Sequence, residues 1–178
     1  MLFRSGSDAD GKFQLWHETA PLARFDSVAL PRLSAESKPA GIWFALHAKQ
    51  VQVMQDGVWP GVFALRVTLR LPSSYAAPVS LLKPLLDGVT AAFGVYEGSQ
   101  LALVSERLAA QLGLGAARVA DLLTKRSQAL LGSCQLVVPR AMGVQWQPAD
   151  DRCVACELRV ERTGASAATL DGELLAVT

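Results

Sequence analysis

Apolar and polar residues alternate between positions 62 and 71, where the sequence reads VFALRVTLRL. From Phe63 onward every second residue is apolar, and Arg66, Thr68 and Arg70 lie between the apolar positions. Successive side chains of a strand point to opposite faces of its sheet. The pattern therefore predicts a strand with one buried face and one polar face.

Shorter apolar stretches predict further strands on both sides of this one. Three stretches precede it, of which two are bounded by Gly11, Pro21 or Pro31, residue types that interrupt strands. These stretches are residues 12–17, residues 24–30, and residues 41–54, which are interpreted as one longer strand. Three more stretches follow late in the chain, at residues 135–138, 143–146 and 152–162.

The middle of the chain shows helical spacing instead. Helices are predicted over residues 79–93, 100–112 and 116–123, the last two forming a hairpin around Gly113 and Gly115. Pro84 fits the first helix only within its first turn, so that helix is expected to start at or just before Leu81. The residues expected to face the core are Leu82, Leu85, Leu86, Val89 and Phe93.

These elements predict a single α+β domain over residues 1–178, with a small mixed or antiparallel sheet packed against helices. The composition allows flexibility at the N-terminus (1–11) and in the C-terminal tail (163–178), and the tail is alternatively an edge strand. A hydrophobic fraction of 51% is slightly high for a soluble monomer, so a homodimer is expected. The net charge of +1 supplies no overall attraction to phosphates.

No apolar run reaches the roughly 18 to 20 residues that a membrane helix requires, and the first residues lack the apolar centre of a secretory signal. The expectation is a cytoplasmic protein that does not bind a membrane. Three cysteines, Cys134, Cys153 and Cys156, fit reduced thiols better than a disulfide framework. Residues three apart on a regular strand point to opposite faces, so Cys153 and Cys156 are expected not to bind a metal ion.

Residues 80–101, SLLKPLLDGVTAAFGVYEGSQL, resemble the metal-binding helix and following turn of the RusA family of Holliday-junction resolvases. The residues that carry the match are Leu81, Lys83, Leu86 and Asp87 in the helix and Tyr96, Glu97 and Gln100 in the turn. The family's acidic positions are occupied by other residues, namely Ala77, Val79, Gly98 and Ser99. The resemblance implies a RusA-like fold, here with an inserted helical hairpin, but without the metal-dependent nuclease activity.

Loss of these acids matters because two divalent metal ions bracketing a phosphate require several carboxylates. Lys83, Asp87 and Glu97 remain as candidate catalytic residues, and Lys83 with Asp87 is interpreted as an ordinary ion pair across one helical turn. No metal site and no cofactor are therefore expected. The alternative is a divergent magnesium-dependent nuclease in which Asp87 and Glu97 are joined by Asp150 or Asp151.

The candidates for contacting DNA are basic residues of the predicted strand, the first helix and the end of the third helix. No aromatic residues that could stack on bases are interleaved with them. They are Arg66, Arg70, Lys83, Lys125 and Arg126. The leading hypothesis is a catalytically inactive RusA-like binding or structural module, with branched or double-stranded nucleic acid, for example DNA, as its candidate ligand. The other hypotheses are the divergent nuclease and a protein-interaction domain of unrelated fold.

Overall fold

The computed structural model of the chain describes residues 2–4, 15–31, 38–49, 51–74, 81–141 and 143–178, with side chains from residue 20 onward except that of Lys38. In chain order the elements are β1 (Leu2–Arg4), β2 (Leu15–Ala29), α1 (Lys38–Ala48), β3 (Gln52–Val53), β4 (Phe63–Pro72), α2 (Leu82–Ala92), β5 (Val95–Tyr96), α3 (Leu101–Leu112), α4 (Ala116–Leu123), β6 (Ser133–Cys134), β7 (Val137–Arg140), β8 (Gly143–Trp146), β9 (Cys153–Thr163) and β10 (Thr169–Val177). A short 3-10 turn, Asp150–Arg152, immediately precedes β9.

Within the described residues, a mixed sheet of six strands forms the centre of the fold. Five of them follow the order β1, β2, β10, β4 and β9, and the short strand β3 pairs with β2. Strand β10 is antiparallel to both β2 and β4, whereas β4 and β9 are parallel. Two further pairs of short strands, β5 with β6 and β7 with β8, lie outside the sheet. The fold is α+β with a mixed sheet, as the sequence pattern predicted.

The helices cover one face of this sheet. Alternate residues of β4, among them Phe63, Leu65 and Leu69, are buried in the main core together with side chains of all four helices. The opposite face carries charged side chains and a small apolar cluster around Ala64 and Leu175. The buried and polar faces predicted for residues 62–71 are therefore confirmed.

The helices predicted in the middle of the chain are confirmed with small changes at their ends. Leu81 caps α2, so Pro84 lies in the first turn, where its missing N–H costs no helical hydrogen bond. The predicted hairpin is formed by α3 and α4, and Gly113 closes α3 with a left-handed φ of 67°. One core assignment is wrong, because Leu82 is 49% exposed while Leu81 is buried.

The longer strand predicted for residues 41–54 is wrong, since most of that stretch belongs to helix α1 and only two of its residues form β3. Ile42, Trp43 and Leu46 are all fully buried in this helix. A helix surrounded by protein has no polar stripe, so its sequence lacks the helical period that would identify it. A buried strand and a buried helix look alike in such a stretch.

Pro21 does not separate two strands, because β2 runs through it from Leu15 to Ala29. The pairing with β10 shifts register on both sides of Leu175, the partner of Pro21. Such irregularities tolerate a residue without an N–H donor. A further shift lies near Ser27, which has a positive φ of 48° and whose N–H donates to Oδ1 of Asp171 at 2.9 Å.

The edge position considered for the C-terminal tail (163–178) is also wrong, since β10 lies between β2 and β4 inside the sheet. Leu170 and Leu174 are fully buried there. The pairing of β10 with two long strands, which the sequence does not reveal, determines this position. The N-terminal region (1–11) falls outside the described residues except for β1.

Candidate functional site

Lys83 and Asp87 lie one turn apart on α2 and are joined by a hydrogen bond of 2.9 Å from Nζ to Oδ1. Nζ also lies 3.9 Å from Oδ2 of Asp150, at the turn ahead of β9. The Asp87 side chain is only 9% exposed, whereas that of Lys83 is 74% exposed. The interpretation as an ordinary ion pair fits this geometry, because each charge has its partner within the protein.

Burial dominates the acidity of Asp87. It raises the pKa of the carboxyl group, the bond from Lys83 acts in the opposite direction, and Asp150 adds a smaller repulsion that raises it further. The hydrogen bond to Asp87 raises the pKa of Lys83 and so keeps the ammonium charged. A positive charge held against the carboxylate competes directly with any cation that the carboxylate would bind.

The carboxylates considered for a nuclease site do not assemble. Glu97 is exposed just after β5, and Asp150 and Asp151 lie in the turn before β9. Within the described parts of the chain, no group of three or more His, Cys, Asp or Glu side chains is arranged to hold a metal ion. The set Asp87, Glu97 and Asp150 or Asp151 therefore does not form one site.

Arg66 and Arg70 point from the outer face of the sheet, where acidic side chains of both neighbouring strands contact them. Nε of Arg66 donates to Glu157 at 3.1 Å, and its Nη1 donates to Glu173 at 2.5 Å. Arg70 is bonded in the same way to Glu161 on β9, at 3.0 Å, and to Asp171 on β10. The face is thus a ladder of paired charges rather than a basic strip.

Lys125 and Arg126 are exposed at the end of α4, on a different part of the molecule from the arginine ladder. Arg126 lines a cavity of about 190 Å³ together with Asp56 and Gln128. Lys125 lies close enough to the buried His47 to contribute to lowering the pKa of its imidazole. The five basic residues predicted to contact DNA are consequently not gathered on one surface.

The two cysteines of the C-x-x-C motif lie on the same face of β9, contrary to the expectation from a regular strand. Phe63 pairs with Cys153 and Leu65 with Cys156, and a register shift between Phe63 and Ala64 leaves Val154 as an extra residue. A bulge of this kind reverses the alternation of side chains. Burial raises the pKa of Cys153 to about 12 and also raises that of Cys156.

An apolar groove separates α2 from the sheet beside β9 and encloses about 300 Å³. Its lining is almost entirely aliphatic. It consists of Leu65, Val67, Leu82, Lys83, Leu85, Leu86, Val89, Cys156 and Leu158. The half-exposed Leu82 marks its open side. The sequence did not indicate this groove, because α2 and β9 are about 70 residues apart in the chain and meet only through the parallel pairing of β4 with β9.

Arg152 is a structural residue that no sequence pattern singled out. Its guanidinium donates to the carbonyl of Gly61 at 2.6 Å, to that of Leu131 at 3.3 Å and to that of Trp59. Three loop carbonyls are thereby held against the turn that leads into β9. A single arginine in a short turn carries no sequence pattern that would reveal such contacts.

Comparison of the chain with protein-family models, with curated proteins and with solved structures found no match. Among the described residues, none of the helices combines the length and apolar character needed to cross a membrane. The resemblance to RusA resolvases therefore stays a prediction from residues 80–101.

Proposed function

We propose that this protein is a catalytically inactive, RusA-like binding or structural module that acts through a protein-interaction surface. Its surface is the apolar groove between α2 and β9 together with the outer edge of β9. The observation that carries the proposal is the half-exposed Leu82 beside an aliphatic groove at the edge of the sheet. An exposed apolar surface of this kind usually marks a binding site.

The charges beside the groove favour binding over catalysis. Lys83 neutralises the buried carboxylate of Asp87, so the helix that resembles a nuclease's metal-binding helix presents a paired cation instead of a cluster of acids. A hard cation such as Mg²⁺ requires several oxygen ligands. Asp87 and Asp150 both contact the amine of Lys83. A metal ion would therefore have to displace this ammonium group in order to bind the two carboxylates.

DNA is a less favoured partner than a protein. Arg66 and Arg70 each contact two carboxylates, so phosphate groups would have to displace those partners and would meet Glu157, Glu161 and Glu173 nearby. Affinity for DNA depends on uncompensated positive charge that releases counterions. Lys125 and Arg126 provide only a short basic segment at another place.

The test is an assay of the full-length protein on four-way junction, duplex and single-stranded DNA, with and without Mg²⁺ or Mn²⁺. We expect no cleavage of any substrate and no binding that responds to the metal ions. Cleavage that disappears in Asp87→Asn would overturn the proposal and restore the nuclease. Tight binding without cleavage that weakens in the double variant Lys125→Ala, Arg126→Ala would make nucleic acid the partner instead of a protein.

A further inference from the structure

Strand β9 lies at the end of the sheet. Among the described residues it pairs only with β4, over the whole length from Cys153 to Thr163. A long edge strand presents a row of backbone N–H and C=O groups that another strand can bond. The groove beside it adds apolar side chains to this backbone surface.

The side chains of β9 are self-complementary in one antiparallel register. When Leu158 faces its own copy across a two-fold axis, Glu157 of each chain lies opposite Arg159 of the other, because directly opposed residues share a face. The Arg159 side chain is 67% exposed and lies 3.9 Å from Glu157 of its own chain, so it can reach Glu157 of a second copy. Glu157 also accepts a hydrogen bond from Arg66, and a carboxylate can accept from two arginines at once. Two symmetry-related charge pairs then specify the register.

The same register matches apolar residues on the groove side of the sheet. Leu158 packs on its copy, and Cys156 lies opposite Val160 of the second chain. The two-fold axis is perpendicular to the joined sheet, so both α2 helices lie on the same face, where Leu82 and Leu86 can be covered. A register centred on Val160 also pairs Arg159 with Glu161 but places Leu158 against Arg162, which is less favourable.

We infer that the chain forms a symmetric homodimer by antiparallel pairing of two β9 strands centred on Leu158. The two sheets join into one continuous sheet, and the groove is closed by the second copy. An isologous contact of this kind is the commonest form of protein dimer. The inference rests on the proposed use of this surface for protein binding and identifies the partner as a second copy of the chain.

The first measurement is the molar mass of the full-length protein by sedimentation velocity. We expect a dimer whose dissociation constant rises about tenfold or more in Arg159→Glu, because the exchange places Glu157 opposite a second acid. Arg126→Glu makes the same charge change away from β9 and serves as the matched control, with an unchanged dissociation constant. A monomer at tens of micromolar protein, or a dimer equally insensitive to both variants, would overturn the inference.

Cross-linking tests the register separately. In a Cys156→Ser background, Leu158→Cys is expected to form an intermolecular disulfide under mild oxidation, seen as a covalent dimer on a non-reducing gel. Val160→Cys in the same background is expected not to, because its copy lies four residues away along the strand. The reverse result would exclude the register centred on Leu158. If the protein is a monomer and does not cleave DNA, the dimer inference fails but the proposed function stands. If the protein cleaves DNA, the proposed function fails.

Discussion

Nζ of Lys83 donates to Oδ1 of Asp87 at 2.9 Å, across one turn of α2, and the acceptor is the buried member of the pair. Loss of hydration on burial destabilises the carboxylate more than the charge of the exposed ammonium stabilises it. The net effect is a raised pKa for Asp87. The pair behaves as a partly compensated buried charge. This balance determines how the protein should respond to removal of the acid.

Asp87→Asn is expected to leave thermal stability unchanged or to raise it at neutral pH. A carboxyl group whose pKa is raised by folding stabilises the protein below its unfolded pKa, and that contribution is lost as the pH rises through the folded value. The amide resembles the protonated acid and removes this loss. Thermal unfolding followed by circular dichroism between pH 4 and 7 should show the variant gaining on the natural protein as the pH rises. A lower melting temperature for the variant at pH 7 would contradict this reading.

His47 is expected to make the protein sensitive to mild acid. Burial, with a smaller effect of Lys125, lowers the pKa of its imidazole from 6.5 to about 4. The ring is packed against Trp43, and its Nδ1 lies 3.0 Å from Nε2 of Gln128. As the pH falls, the imidazole is protonated in the unfolded chain near pH 6.5, before it can be protonated in the folded protein. The stability that depends on neutral His47 is therefore complete above pH 6.5 and is lost as the pH falls toward 4. The loss amounts to about 3 kcal/mol.

The measurement for His47 is denaturant unfolding at pH 7, 6, 5 and 4. In His47→Leu the decrease in unfolding free energy over this range should be smaller by about the same 3 kcal/mol, since the variant has no imidazole to protonate. The comparison uses the change in unfolding free energy with pH. A loss of stability from altered packing that is the same at every pH therefore does not affect it. Equal slopes in both proteins would show that another group controls the acid response.

Arg152→Ala is expected to lower the unfolding free energy by about 2 to 4 kcal/mol, because the carbonyls of Trp59, Gly61 and Leu131 lose a charged donor together. Arg126→Ala is the matched control, since that exposed arginine should change stability by about 0.5 kcal/mol or less. Urea unfolding of both variants provides the comparison. Equal effects would show that the contacts of Arg152 contribute little.

In Arg159→Glu, the variant expected to weaken the dimer and leave the groove open, Cys156 is expected to react with iodoacetamide faster than Cys153. Burial raises the pKa of Cys153 to about 12, so little thiolate exists at pH 8, and its thiol is partly buried. Burial also raises the pKa of Cys156, but its side chain is exposed and so is accessible to the reagent. Mass spectrometry of peptides after timed labelling gives the two rates. Unfolding in denaturant should make them similar, and equal rates in the folded protein would contradict the positions of the two thiols.

Local patterns determined much of the fold. The alternation around Arg66 and Arg70 identified β4, the position of Pro84 located the start of α2, and glycines marked the hairpin between α3 and α4. Each of these signals depends on neighbours within a few residues. The spacing of Lys83 and Asp87 likewise indicated their ion pair, because residues four apart meet on any helix.

Only the tertiary structure decided the features that depend on distant residues. The pairing of β4 with β9 brought Leu158 beside α2 and created the groove, and pairing on both sides placed β10 inside the sheet. The bulge at Val154 turned Cys153 and Cys156 to one face, although regular alternation separates them. Helix α1 was not predicted, because it is buried on most of its surface and therefore has no polar stripe. Sequence periodicity records which local side chains face water, whereas strand partners and bulges are chosen by contacts between segments far apart in the chain.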